Sequence, residues 1–308
     1  MKIAFYAKHH TYGGLANNGG TRTILKSIEA LKKLGHEAFY VATVDKFTWF
    51  KHDKPKKAIP KDTDVCIAVS ISDIQPMMKE TPKTARVAYW GRPFESWQMN
   101  TARIHKLLKD FGGKIFVNSG WQQEELTRLK IKSEIIYNGV DFEDWEDQLI
   151  RDIPTIGFLY SSRDTKRWKD CEEIAKMLPA FRFVAFGNEK YSKPDWMATY
   201  LRRPKHEALV DHYSQCHIWF APSKAEGFHN PPAEANLCGA LVVCSGRTRN
   251  GMGDYARSDT AMVYDNLGEA IQMILDPDYE RVFNMQILLR DKIGSREENM
   301  YKMVRSLS

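Results

Sequence analysis

No apolar run in the sequence approaches the ~18 residues of a membrane-spanning helix, so no transmembrane segment is expected. The first apolar run, residues 3–7, is too short for the core of a signal peptide and is expected to be a β-strand. Cysteine is scarce. Cys66, Cys171, Cys216, Cys238 and Cys244 are odd in number and form no metal-spaced pair, which excludes a zinc ribbon and argues against a disulfide framework. Most lie in apolar runs and read as reduced core residues of a cytoplasmic protein. There is no low-complexity tract, no repeat beyond two similar α/β halves, and no Gly-x-Gly-x-x-Gly fingerprint of a dinucleotide-binding turn. Asp62 and Asp64 have the spacing of a metal-binding Asp-x-Asp pair, but they stand at a strand start in a basic region and read as a turn.

What remains is a 308-residue chain, 43% hydrophobic and 27% charged, long enough for two α/β domains. Its charge is divided unevenly. Residues 1–139 hold 23 Lys and Arg against 13 Asp and Glu, and the remainder holds 22 against 26. A basic N-terminal half points to an anionic partner. Apolar runs alternate with helical periods throughout, the pattern of parallel sheets. The opening strand is followed by a Gly- and Asn-rich loop, residues 8–20, and a helix expected from Thr21 to Leu34. In that loop Gly14 and Gly20 each follow another glycine, so the backbone can approach a ligand closely.

The most informative stretch is residues 217–246, HIWFAPSKAEGFHNPPAEANLCGALVVCSG. A short apolar strand ends at Pro222-Ser223. Asn230 is a good helix cap, Pro231 suits the first helical position, and Gly239 closes the helix. Glu226 then lies in a loop at the strand's C-terminal end, where open α/β sheets bind ligands, and Glu234 lies one turn into the helix. The two prolines remove helix-start N–H donors, leaving the amides of Gly227, Phe228, His229 and Asn230 as the free donors. Loop amides that attract phosphate, beside carboxylates that accept from hydroxyls, describe a nucleotide-sugar site.

This stretch resembles the Glu-x7-Glu signature of retaining glycosyltransferases of family 4, including the Pro-Ser before it and the Ala-Asn-Leu-Cys-Gly after it. It departs from the pattern at His229 and Asn230, where the family more often has a small residue and an aliphatic one. Residues 135–141, Ile-Ile-Tyr-Asn-Gly-Val-Asp, resemble the end of that family's first domain. The resemblance implies the GT-B fold: two Rossmann-like domains with parallel sheets facing across a cleft. Residues 1–148 would be the acceptor domain and 149–294 the nucleotide-sugar donor domain, with a last helix, about 295–308, packing back on the first. It also implies that Glu226 holds hydroxyls of the transferred sugar and Glu234 the ribose. Arg163 and Lys169, with Lys166 as an alternative to Lys169, would neutralise the diphosphate. The glycine loop with Gly14 and Gly20 would lie beside the donor phosphates. Family members often carry a histidine after the strand at 86–90; here Trp90, Arg92 and Glu95 stand nearby and are the acceptor-side candidates.

The expected reaction is metal-independent hexosyl transfer with retention, from a nucleotide-diphosphate sugar to a hydroxyl acceptor. No metal or other cofactor is required in this reading. A saccharide or lipid-linked acceptor leads. A hydroxylated base in DNA is the alternative, because residues 46–61 interleave Phe47, Trp49 and Phe50 with six lysines. A nucleotide-sugar epimerase of the same fold is a further one. The basic half suits DNA or an anionic membrane surface, so a cytoplasmic protein, peripheral to a membrane or associated with DNA, is expected.

Overall fold

A computed structural model describes residues 1–8, 14–92, 99–148, 151–246 and 249–308, without the side chains of 249–250. By contacts the chain divides into two units, Met1–Gly139 with Arg296–Ser308, and Val140–Ser295.

The first unit is a six-stranded parallel sheet. Its strands are β1 (Lys2–Tyr6), β2 (Glu37–Val41), β3 (Val65–Ala68), β4 (Arg86–Gly91), β5 (Lys114–Val117) and β6 (Glu134–Ile135), in the order β2-β1-β3-β4-β5-β6. Both faces are covered, so the strands are apolar throughout rather than alternating. Ile3 and Phe5 point to one face and Ala4 and Tyr6 to the other. Helix α1 (Gly19–Lys33) lays Ile24, Leu25, Ile28 and Leu31 on the first face. Its cap is Asn18, whose side chain accepts from the Thr21 amide at 2.8 Å, rather than Thr21 itself; asparagine is the stronger cap. Helices α2 (Ile74–Glu80) and α3 (Thr101–Asp110) cover the second face with Ile74, Met77, Ile104 and Leu108. Helix α4 (Gly120–Arg128) packs Leu126 on that face as well.

The second unit holds β7 (Thr155–Tyr160), α5 (Trp168–Met177), β8 (Arg182–Gly187), β9 (Met197–Arg202), α6 (His206–Ser214), β10 (Ile218–Ala221), α7 (Asn230–Leu237), β11 (Leu241–Ser245), β12 (Met262–Tyr264), α8 (Leu267–Leu275) and α9 (Glu280–Leu288). The parallel sheet runs β9-β8-β7-β10-β11-β12, so the strand order reverses between β7 and β10. In doubly wound sheets that crevice, at the strands' C-terminal ends, is where ligands bind. The chain then returns to the first unit as α10 (Arg296–Leu307). Its Met300, Met303, Val304 and Leu307 join the face covered by α1. Asn299 accepts from the Tyr137 amide at 3.0 Å, and buried Arg296 donates to the Asn138 carbonyl at 2.8 Å.

Three local features are not evident from the sequence. Residues 46–61 are not simply an exposed basic loop. Phe47 is buried, rings of Trp49, Phe50 and His52 gather on it, and Trp49 and Phe50 pack against the first unit's core. Strand β9 had no recognisable alternation because it is the sheet's edge, with half of its residues only half buried and two exposed. Helix α9 ends at Leu288 and the chain continues as one π-turn, Leu289–Ile293. All five cysteines are buried and free. No helix of the described residues is long and apolar enough to cross a membrane.

Candidate active site

The second unit brings two loops together at its strand-order reversal. After β7 the chain makes a tight turn, Asp164–Lys166, and Arg167 adopts a left-handed conformation (φ +50°) before α5 starts. After β10 it runs through Pro222 and Ser223 to a two-residue strand, Ala225–Glu226, that pairs with Arg249–Asn250. The Lys224 amide donates to the Thr165 carbonyl at 2.7 Å and locks one loop to the other. The left-handed residue re-aims the turn, so that Lys166 Nζ forms an ion pair with Glu226 Oε1. Their side chains are only 16% and 13% exposed.

Burial pushes the Glu226 carboxyl up, but the neighbouring His229 and Lys166, with hydrogen bonds from Lys166 and Ser223, outweigh it and hold it below the ordinary carboxylate range. Burial pushes His229 down to about 4, with Glu226 acting to raise it and Lys166 to lower it. At neutral pH the imidazole is therefore uncharged, and Lys166 is the cation paired with Glu226.

The position before α7 belongs to His229, not to Asn230, which is already helical. His229 is left-handed (φ +64°, ψ +75°) and makes no side-chain cap. It is held from behind: the Tyr255 hydroxyl donates to its carbonyl at 2.6 Å, and its Nδ1 lies 3.1 Å from Met252 Sδ. Its Nε2 lies 3.6 Å from Glu226 Oε1. Phe228 is buried against Tyr255, so only its backbone is available to a ligand. A Cβ added to Gly251 would lie 1.4 Å from the Gly227 carbonyl oxygen, so only glycine lets the 249–254 turn press on the Glu226 loop. Pro231 and Pro232 begin the helix as expected. Glu234 is buried on α7 and accepts from the Tyr213 hydroxyl at 3.0 Å. Both carboxylates act on the buried Tyr255 hydroxyl, which burial first of all raises well above its ordinary value.

The other candidates are less converged. Arg163 and Lys169 are exposed, Arg163 opening the turn after β7 and Lys169 in the first turn of α5. Glu189, after β8, accepts from the Ser161 hydroxyl at 2.8 Å and the Ser162 amide at 3.1 Å, which braces the Arg163 loop. In the first unit Gly14 pairs with Val44 so closely that a Cβ would lie 2.2 Å from the Val44 carbonyl oxygen, at a φ of +150°. That glycine is required by strand pairing. The Gly20 carbonyl accepts from the buried Arg92 guanidinium, which also reaches the Val69 carbonyl at 3.2 Å. Trp90 does not offer a face to an acceptor: it is wholly buried in the core, with its indole N–H donated to the Ile136 carbonyl at 3.1 Å. Glu95 lies outside the described residues. Asp62 and Asp64 both hold Lys2, through its Nζ at 2.8 Å and its amide at 2.6 Å.

Sequence reasoning missed Ser223, Glu189, Tyr213, Gly251, Met252 and Tyr255. Of these Ser223 stands in the Pro-Ser of the motif and Gly251 in the turn-forming Asn250-Gly251 pair; the others had no local signal.

No family model matches the sequence, and no curated protein matches it. Solved structures do match in fold. Sucrose-phosphate synthase from Thermosynechococcus elongatus superposes with a TM-score of 0.77 at 14% identity, covering 99% of this chain and 98% of that one. Anabaena HepE in complex with UDP and glucose gives 0.78 at 12% identity, over 100% and 99%. A trehalose-6-phosphate synthase gives 0.68 at 10% identity, over 100% and 99%. The fold is thus the GT-B architecture of two Rossmann-like units.

Proposed function

We propose that the chain is a glycosyltransferase that moves a hexose from a nucleotide-diphosphate sugar to a hydroxyl acceptor with retention at the anomeric carbon. The observation that carries this reading is the enclosed Lys166–Glu226 pair at the strand-order reversal of the second unit. A carboxylate held ionised there is a hydrogen-bond acceptor for sugar hydroxyls, and the cation beside it suits a diphosphate. Full-length likeness in fold to HepE solved with UDP-glucose supports the donor class.

In this reading the second unit binds the donor. Glu226 orients the transferred sugar, Glu234 the ribose, and Lys166 joins Arg163 and Lys169 at the leaving diphosphate. Catalysis is then positioning and stabilisation of leaving-group charge. Attack comes from the face the diphosphate leaves, whose oxygen takes the acceptor's proton. The three cations make the reaction independent of a metal ion. The first unit binds the acceptor, a saccharide or lipid-linked one, and its basic charge favours an anionic molecule. DNA as acceptor loses its aromatic platform, because Phe47, Trp49 and Phe50 serve the core. The protein works in the cytoplasm, peripheral to a membrane where the acceptor is lipid-linked.

The test is nucleotide release from UDP-glucose and GDP-mannose without acceptor, with and without EDTA. Release that survives chelation is expected. No release and no binding of either sugar defeats the reading; loss in EDTA restored by Mn²⁺ defeats the metal-independent part. Retention is checked by the anomeric configuration of the product.

A further inference from the structure

His229 is costly where it stands. A non-glycine residue in the left-handed region is strained, and glycine would relieve this. Its side chain is only 3% exposed, and the residue is fixed from two directions: the backbone carbonyl by Tyr255 and Nδ1 by Met252. A thioether can only accept, so the contact at 3.1 Å puts the ring proton on Nδ1 and leaves Nε2 a lone-pair acceptor. That Nε2 is buried and has no hydrogen-bond partner among the described residues. It faces Glu226 Oε1, another acceptor, across 3.6 Å. Two acceptors side by side call for two hydrogen-bond donors, and the Lys166 ammonium now satisfies the carboxylate. A metal ion does not fit, because no group of three or more His, Cys, Asp or Glu that could hold one exists among the described residues.

We propose that His229 Nε2 and Glu226 Oε1 together receive two adjacent hydroxyls of the transferred sugar, making His229 a specificity-determining residue for donors with a free vicinal diol. This rests on the donor-site reading above. On donor entry Lys166 exchanges Glu226 for a diphosphate oxygen. One hydroxyl then donates to the carboxylate and its neighbour to the imidazole. Sugars in which either hydroxyl is missing, acylated or already linked leave a buried acceptor unpaired and are rejected.

The experiment titrates the full chain with UDP-glucose and its 3-deoxy and 4-deoxy analogues by calorimetry, using wild type, His229→Gly and His229→Asn. Both substitutions suit a left-handed residue, and circular dichroism checks their fold. His229→Gly should weaken UDP-glucose binding about three- to tenfold. One deoxy analogue should bind wild type more weakly by the same factor, yet show no such penalty with His229→Gly. Equal penalties in both proteins, or unchanged binding of UDP-glucose by His229→Gly, overturn the role of His229 while leaving the donor site standing. If wild type binds neither UDP-glucose nor GDP-mannose, the donor-site reading falls and this inference with it.

Discussion

Replacing Lys166 by methionine tests the site at its centre, because it separates Lys166 from Lys169. The two side chains of the Lys166–Glu226 pair are 16% and 13% exposed. Removing the cation leaves a nearly enclosed carboxylate with Ser223 and a neutral imidazole for company. Removing one partner of a buried pair costs about 3–5 kcal/mol, and the residual solvent contact here puts the expected loss near ~3 kcal/mol at pH 7. Lys169 is exposed, and Lys169→Met should change stability by less than about 0.5 kcal/mol. The pH dependence follows from linkage. Glu226 is held below its usual 4.5 in the folded wild type, so its contribution is present above that value and is lost as pH falls through the lower folded one. In Lys166→Met burial loses the opposition of the ammonium and its hydrogen bond, so the folded carboxyl moves up from its wild-type position. The difference between the proteins should therefore be largest at pH 7, shrink as the pH falls from the variant's folded value toward the lower one of the wild type, and vanish only below that, where the carboxyl is protonated in both. Urea unfolding at pH 7, 5.5 and 4 measures it. Adding Glu226→Gln should recover part of the loss, through a coupling of about 0.5–3 kcal/mol. If Lys166→Met is no more destabilising at pH 7 than Lys169→Met, the pair does not hold Glu226 and the argument is wrong.

Glu234→Ala should weaken donor binding about ten- to hundredfold, the worth of a hydrogen bond to a charged group; unchanged affinity for UDP-glucose in calorimetry would remove Glu234 from the ribose site. Substituting glutamine for the exposed Lys51, Lys54 and Lys57 should lower affinity for an anionic acceptor, with the log–log salt slope falling by about one unit per lost phosphate contact. Donor affinity should be unaltered. Lys56 is left out of that set because it already bridges to Glu37 at 3.3 Å and lies 3.9 Å over the Phe39 ring. If wild type binds neither DNA nor anionic vesicles, the anionic-acceptor idea fails.

Most strands were legible because both faces of each sheet are covered, which turns central strands into apolar runs such as Ile218–Ala221 and Leu241–Ser245. The edge strand Met197–Arg202 was hidden by the same logic, since half-buried residues carry no clear period. The loop with Glu226 was legible from Pro-Ser before it and Pro-Pro after it. What lies across from Glu226 was not. Arg167 and His229 are left-handed without being glycine, and nothing in a sequence announces that. One such residue aims Lys166 inward while Lys169 stays in solvent, and the other takes the place expected for Asn230 as cap. The aromatics of residues 46–61 show the opposite failure: interleaving with lysine suggested a surface for bases, but three neighbouring rings bury one another first.

The helix α10 gives the chain an order of events. The polypeptide leaves the first unit at Gly139 and rejoins it only at Arg296. On a ribosome, residues 1–139 emerge first, yet the apolar face meant for Met300, Met303 and Leu307 stays uncovered while the whole second unit is made. The second unit is contiguous and can fold as soon as it is complete. The unit that begins first therefore finishes last, through contacts of very long sequence separation that are slow to form. Until then its uncovered sheet face is a sticky surface. A stalled or nicked chain lacking α10 should aggregate through the first unit, while the second remains folded and protease-resistant.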